Sequence, residues 1–216
     1  MRLLICVLVG LAVGLTIGYS LCRARYRTFS FQNRGEALLS RAIQTHFVAP
    51  NYHLMNHITL QVRGGTTQID HILVSRFGVF VIETKDYKGW IFANGEHRTW
   101  TQVLFKWRFR FQNPIFQNFQ HVRAVQKLLD FLPANSVKSV VVFTGDAQFK
   151  TGVPPGVFSL SEFVDHIYTQ TTEVLSLNRM QFCVGRIETA RLAVTRETDI
   201  KHIESLERKY GSRPSA

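Results

Sequence analysis

The clearest alternation of apolar and polar positions runs through residues 67–85. Across 67–75, Ile69, His71 and Leu73 fall on one face and Asp70, Ile72 and Val74 on the other. Across 79–85, Val79, Val81, Glu83 and Lys85 share a face. Period-two alternation predicts two strands, and Arg76-Phe77 fits a two-residue turn between them. That turn sets the register: Ser75 opposes Gly78, Val74 opposes Val79, Ile72 opposes Val81, and Asp70 opposes Glu83. A bulge at Gly78 would shift the register by one residue.

The rest of the chain follows from the same signals. Residues 33–47 read as a helix with Leu39, Ala42, Ile43 and Phe47 as its apolar stripe. Residues 58–62 read as a strand turned by Gly64-Gly65, and 90–92 and 99–105 as strands around Asn94-Gly95. Pro114 opens a helix expected over 114–131, where its missing N–H costs nothing. Residues 138–143, KSVVVF, read as a buried strand. Beyond Gly145 the pattern weakens: a Pro-Pro-Gly loop, then helices expected over 159–168, 173–192 and 197–210. His53 and His57 are expected in a loop and His71 in the core.

The polar exceptions to this pattern carry the chemistry. Opposed residues have Cβ atoms about 4.5–5.5 Å apart, so Asp70 and Glu83 would repel unless a cation lay between them. Lys85 follows on the same face, about 6.6 Å further along the strand. Two acids and a lysine converging on one sheet face outline a site for metal-assisted hydrolysis. A solvated face with incidental charges fits less well, because Ile72, Val74, Val79 and Val81 on that face need cover.

Asp70 followed by Glu83-Thr84-Lys85 resembles the D…(D/E)xK signature of the PD-(D/E)xK nuclease superfamily. Gly35-Glu36 on the preceding helix, the phrases QIDHILV and GVFVIETKDYKG, and Asn113-Pro114 with Gln117 on the following helix are together similar to the nuclease-related domain, NERD. The likeness covers about residues 33–145; it departs from the superfamily label in having Ile69, not proline, before Asp70. It implies an α/β (α+β) sandwich, a central mixed sheet flanked by helices. It also implies Mg²⁺ (or Mn²⁺) on Asp70, Glu83 and the Thr84 carbonyl, with Glu36 as a further ligand. Lys85 would orient or deprotonate the attacking water, and Gln117 would hold substrate or site water. Asn33 and Glu36 are also spaced as a capping box, a local reason for Glu36 that needs no metal.

Charge and the amino-terminal end add a setting. The 216 residues carry a formal charge of +11, which points to a polyanionic partner, either nucleic acid or an acidic lipid surface. Residues 3–22 are uncharged, and at helical rise span about 30 Å, the hydrocarbon thickness of a bilayer. Arginines 23, 25, 27 and 34 follow, so the positive-inside rule places the remainder in the cytoplasm. A cleaved signal peptide would have a shorter apolar run ending in small residues. Gly10, Gly14 and Gly18 repeat every four residues, a pattern that lets a second such helix approach and form a homodimer. The expected organisation is therefore a transmembrane anchor (1–22), a basic linker (23–32), the nuclease-related domain (33–145) and a helical extension (146–216). Cys6, Cys22 and Cys183 are scattered, which excludes a zinc ribbon and a disulfide framework. No glycine-rich phosphate loop supports a nucleotide-driven motor.

One further segment bears on partners. Residues 106–111, KWRFRF, alternate cation and aromatic, and residues 97–129 hold six Lys or Arg and no acid. Lys106, Arg108 and Arg110, with Asn113 and Gln117, are expected to bind nucleic acid through its phosphates. An edge strand guarded by charge gives the same pattern. The whole reads as a membrane-anchored, metal-dependent nuclease acting on nucleic acid, DNA first. The alternative is a tethered nucleic-acid-binding or scaffold protein with negligible turnover; a basic domain recruited to anionic lipid is a third reading.

Overall fold

A computed structural model describes residues 33–210. The expected membrane span, its glycines 10, 14 and 18 and the basic linker lie outside the described residues. Among the described residues no helix is long and apolar enough to cross a membrane.

Helix α1 (Arg34–His46) precedes a meander of three strands, β1 (Tyr52–Val62), β2 (Gly65–Ser75) and β3 (Gly78–Lys85). Strands β4 (Gly89–Phe92), β5 (Thr99–Leu104) and β6 (Trp107–Gln112) follow, then helix α2 (Pro114–Leu128) and strand β7 (Val137–Phe143). The chain continues through β8 (Ala147–Phe149), β9 (Val157–Ser159), α3 (Leu160–Tyr168), α4 (Leu177–Ala190) and α5 (Arg196–Tyr210). The main sheet has the order β1-β2-β3-β7-β9, and a second sheet the order β6-β5-β4-β8. Both are mixed. Strands β1, β2 and β3 are antiparallel, and β7 lies parallel to β3, as a crossover connection requires.

Helices cover both faces of the main sheet. On one face Leu39, Ile43 and Phe47 of α1 pack with Leu73, Phe80, Ile82 and Val140, and Phe163 and Ile167 of α3 join them. On the other, Val122 and Val125 of α2 pack against Ile72, Val74, Val79 and Val81, with Met180, Cys183 and Ile187 of α4. Burying each such side chain is worth about 1.5–3 kcal/mol over leaving it in water. The stretch expected to be a helical extension thus opens with two strands, one completing each sheet, and its helices enter the main core.

The Arg76-Phe77 turn and its register are as the alternation predicts, from Ser75↔Gly78 to His71↔Ile82. Two details differ. The β2–β3 ladder ends at His71↔Ile82, so Asp70 and Glu83 sit one step beyond its last pair. Ile69 belongs to the cluster holding Ile72 and Val74, not to that of Leu73. The cause lies on the neighbouring strand. His57 has φ +52°, and pairing is interrupted between Asn56↔His71 and Ile58↔Ile69. This local twist changes which face the alternation serves, immediately beside Asp70. His53 and His57 lie within β1 rather than in a loop. His71 is buried as expected, with Nε2 3.0 Å from Ser40 Oγ of α1 and Nδ1 3.3 Å from Thr84 Oγ1 of β3.

Between β3 and β4 the chain leaves one sheet for the other within three residues, and Gly89 makes this possible. Its φ is +76°, and a Cβ there would lie 2.5 Å from the Val103 carbonyl oxygen. Gly89→Ala is expected to lower stability by about 1–3 kcal/mol, more if β5 cannot shift. Chemical denaturation measures this; an unchanged midpoint would contradict it.

Candidate active site

The site forms where the pairing of β2 with β3 ends, while β1 and β7 still flank them. Asp70 Oδ2 accepts a hydrogen bond of 2.8 Å from the Thr84 backbone N–H. This takes the place of a ladder pair and fixes the carboxylate against β3. Glu83 and Lys85 both face α2. The Lys85 ammonium donates to Glu83 Oε1 at 2.6 Å and to Gln117 Oε1 at 3.1 Å. Helix α2 reaches this point because Asn113 caps it: the Asn113 side chain accepts from Ile115 N–H at 2.9 Å, and Pro114 starts the first turn.

One turn beyond Gln117, α2 contributes His121, which the strand-based reading of the sequence did not single out. Its Nδ1 lies 2.7 Å from Thr67 Oγ1 of β2. Its Nε2 lies 3.3 Å from Glu83 Oε2, yet the two are out of line, and neither atom makes a hydrogen bond. The signal available in sequence was its i+4 spacing from Gln117 on a helix facing the sheet.

Burial and the neighbouring carboxylates set the charges. Burial raises the Asp70 pKa well above the usual carboxylate range, and Glu83 and Glu36 add to the rise against the pull of Thr84 N–H and Lys85. Burial also acts to raise that of Glu83, but Lys85 and His121 outweigh it and hold the carboxyl below its ordinary value. Burial acts to lower that of Lys85, and Glu83 more than reverses this. The Glu83 carboxylate therefore favours the charged ammonium form of Lys85, which can donate and stabilise negative charge. Glu36, buried in the first turn of α1, is close enough for its charge to act on Asp70.

The structure thus brings together Asp70, Glu83, Lys85 and Gln117 and sets Glu36 within electrostatic reach. Thr84 contributes its backbone here, while its hydroxyl faces His71. The expected nucleic-acid contacts divide. Arg110 and Gln117 line the same groove as Asp70 and Lys85, a space of about 1840 Å³. Lys106 and Arg108 lie outside its lining, on the exposed β5–β6 hairpin, whose tip residue Phe105 is 100% exposed. Asn113 is fully buried, and its amide nitrogen is spent on the carbonyls of Asn94, Gly95 and His97. That makes it a cap and a loop clamp rather than a ligand contact.

The donors present bear on which ion could be held here. Among the described residues, no group of three or more His, Cys, Asp or Glu side chains is arranged to hold a metal on its own. The available donors are a few carboxylate oxygens, one of them the unbonded Glu83 Oε2, in a cluster whose acids repel. Few, hard oxygen donors completed by water and substrate suit Mg²⁺ or Mn²⁺, not zinc.

Comparison with known proteins agrees with this construction. Residues 32–144 match the nuclease-related domain family across the segment from α1 to the end of β7. The chain belongs to the nuclease-related domain family. It is also 29% identical over 187 residues to an uncharacterized protein of Bacillus anthracis, covering 82% of this chain and 84% of that one. That likeness runs past the domain itself. No solved structure matches.

Two predictions follow from the charges. With a chelator present, Asp70→Asn is expected to hold or raise stability at neutral pH. A carboxyl whose folded pKa is raised costs stability above that pKa, and the cost fades as pH falls toward the unfolded value of about 4. The advantage of the Asn variant should therefore shrink on acidification, as thermal melts across pH would show. Lys85→Met should act oppositely, costing about 3–5 kcal/mol by leaving buried Glu83 without its ammonium partner. Adding Glu83→Gln should recover much of that loss in a double-mutant cycle. Independent, additive effects would refute the pairing.

Proposed function

We propose that this protein is a metal-dependent nuclease hydrolysing phosphodiester bonds of nucleic acid, DNA in the first instance, at the end of β2 and β3. The observation that carries this reading is the juxtaposition of Asp70, Glu83, Lys85 and Gln117 at a groove whose lining holds seven cations and one carboxylate, Asp70. A module that only bound nucleic acid would gain nothing from mutually repelling carboxylates beside a phosphate backbone. Membership of the nuclease-related domain family supports the same conclusion.

Each residue has a distinct task. Asp70 and Glu83, with the Thr84 carbonyl and Glu36, would hold Mg²⁺ or Mn²⁺. Such an ion, when bound, lowers the pKa of its water and neutralises charge on the phosphate oxygens. Lys85 presents a fixed ammonium to the phosphate, stabilising charge that grows in the transition state. Gln117 accepts a second hydrogen bond from the Lys85 ammonium beside that of Glu83, so the cation is aimed rather than free to swing. His121 steadies Glu83 from α2, its other nitrogen anchored on Thr67. The fold in this reading is the nuclease-type sandwich. The uncharged segment 3–22 would anchor it to a membrane with the domain in the cytoplasm, and its glycines would allow a dimer.

The test is cleavage of labelled DNA by the purified chain with Mg²⁺ or Mn²⁺ and with a chelator. Cleavage should require the ion and should vanish in Asp70→Asn and Glu83→Gln, while Asp70→Asn keeps its melting temperature. Metal-independent cleavage, or full activity in either variant, would overturn the proposal. Tight DNA binding without turnover would favour the scaffold reading.

A further inference from the structure

The lining of the groove contains seven cations, Lys85 among them, and a single carboxylate, Asp70. The six that are not Lys85 are Arg63, Arg98, Arg110, Arg123, Lys127 and Arg186. All six are exposed. None of them pairs with a carboxylate among the described residues, whose ion pairs lie elsewhere. An unpaired cluster of like charge on one concave surface is held at an electrostatic cost, which a polyanion in the groove would remove.

Their order along the groove matters more than their number. Arg98 and Arg110 mark the start of α2, where the Asn113 N–H bonds the Arg98 carbonyl at 2.9 Å. Gln117 and Lys85, the reacting centre, come one turn later. Lys127 lies ten residues beyond Gln117 on the same helix, about 15 Å along its axis. Beside it, Arg186 of α4 donates to the Leu128 carbonyl at 3.4 Å, so its guanidinium lies against the end of α2. Cations thus stand before and after the centre along α2. Each strand of a duplex carries one phosphate per about 3.4 Å of helix axis, so the stretch from Gln117 to Lys127 is long enough to meet more than one phosphate.

We infer that one DNA strand passes through this groove along α2, with phosphates held on both sides of the reacting centre. Arg98 and Arg110 grip one side, Lys127 and Arg186 the other. This rests on the nuclease reading above and extends it: a strand held on both sides is cut internally, with no need for a free end. A site that works from chain ends needs phosphate contacts on one side of the scissile bond only.

The experiment uses the full chain and single-stranded DNA in two forms, a covalently closed circle and the same molecule linearised, with Mg²⁺ present. The circle should be cut at a rate comparable with the linear form. In parallel, binding of a fluorescent oligonucleotide is measured against salt for Arg98→Gln/Arg110→Gln, for Lys127→Gln/Arg186→Gln and for all four together. Each pair should lower the slope of log K against log salt by up to about 1.4, from about 0.7 per lost phosphate contact on a single strand. The two reductions should add in the quadruple variant. All four side chains are exposed, so the variants are expected to keep the fold, which their melting curves check. A circle that resists while linear DNA is degraded from its ends leaves the nuclease reading standing and overturns the inference. An unchanged slope in the Lys127→Gln/Arg186→Gln variant also overturns it. If neither form is cut, the nuclease reading falls, and the two slopes still decide whether a strand spans the groove.

Discussion

The structure turns on one buried ion pair, Lys85 with Glu83 at 2.6 Å, set beside Asp70. Bringing an ammonium and a carboxylate out of water costs several kcal/mol per ion, and only close, well-aligned contact offsets it. A second acid nearby makes the balance harder, since it competes for the same cation. Such a group of charges persists only if its surroundings cannot relax. The two apolar clusters supply that rigidity. Ile72, Val74, Val79 and Val81 lock the strands under α2, and Leu73, Phe80 and Ile82 lock them under α1. The charges sit just past the last β2–β3 pair, while β7 still holds Glu83 and Lys85 of β3 in register, so the sheet fixes where they point.

Strand β3 carries this arrangement because it is central in the sheet and joins it to everything else. Its last residue, Lys85, accepts a hydrogen bond at its carbonyl from Thr144 N–H at 3.0 Å, which ties the lysine backbone to the end of β7. Four residues on, Gly89 starts the second sheet, whose strand β6 ends at the cap of α2. The path from Lys85 out to Arg110 and back to Gln117 is therefore a closed loop of chain, clamped by Asn113 on the carbonyls of 94, 95 and 97. A change in any link displaces the acceptor that orients Lys85. This is why Asn113, although it touches no reacting atom, belongs to the same constraint.

Much of this was legible in the amino-acid pattern, for physical reasons that also mark its limits. The Arg76-Phe77 hairpin is read correctly because period-two alternation on both sides leaves one register that buries both apolar sets. The placement of Gln117 near Lys85 is legible because Pro114 fixes where α2 begins and helical spacing does the rest. The face switch at Ile69–Asp70 is not. It depends on His57 adopting a left-handed conformation, which a non-glycine residue does only under tertiary constraint. Strands β8 and β9, three residues each, carry too few positions to show any period. The cation–aromatic alternation at 106–111 is compatible with the edge strand β6, although Trp107 and Phe109 are exposed there. It cannot tell which arginine turns into the groove, since that depends on how the second sheet packs against the first.

Two kinds of positive charge meet in the groove, and their different settings explain why both are needed. Lys85 is mostly buried, hydrogen-bonded on two sides and close to the reacting centre, so its field is local, strong and little screened by salt. Arg98, Arg110, Lys127 and Arg186 are exposed. Their field reaches further but falls away within a Debye length of about 8 Å at physiological ionic strength. The first kind can discriminate a transition state from a ground state, because its position is fixed to within a hydrogen bond. The second cannot: it attracts substrate and product alike. A protein with only the exposed set would bind nucleic acid without acting on it, and one with only Lys85 would hold a phosphate too weakly to present it. The acids decide between those outcomes. Asp70 and Glu83 oppose phosphate at the centre, and in the proposed reading a divalent cation arriving with the substrate would turn that local repulsion into a ligand set.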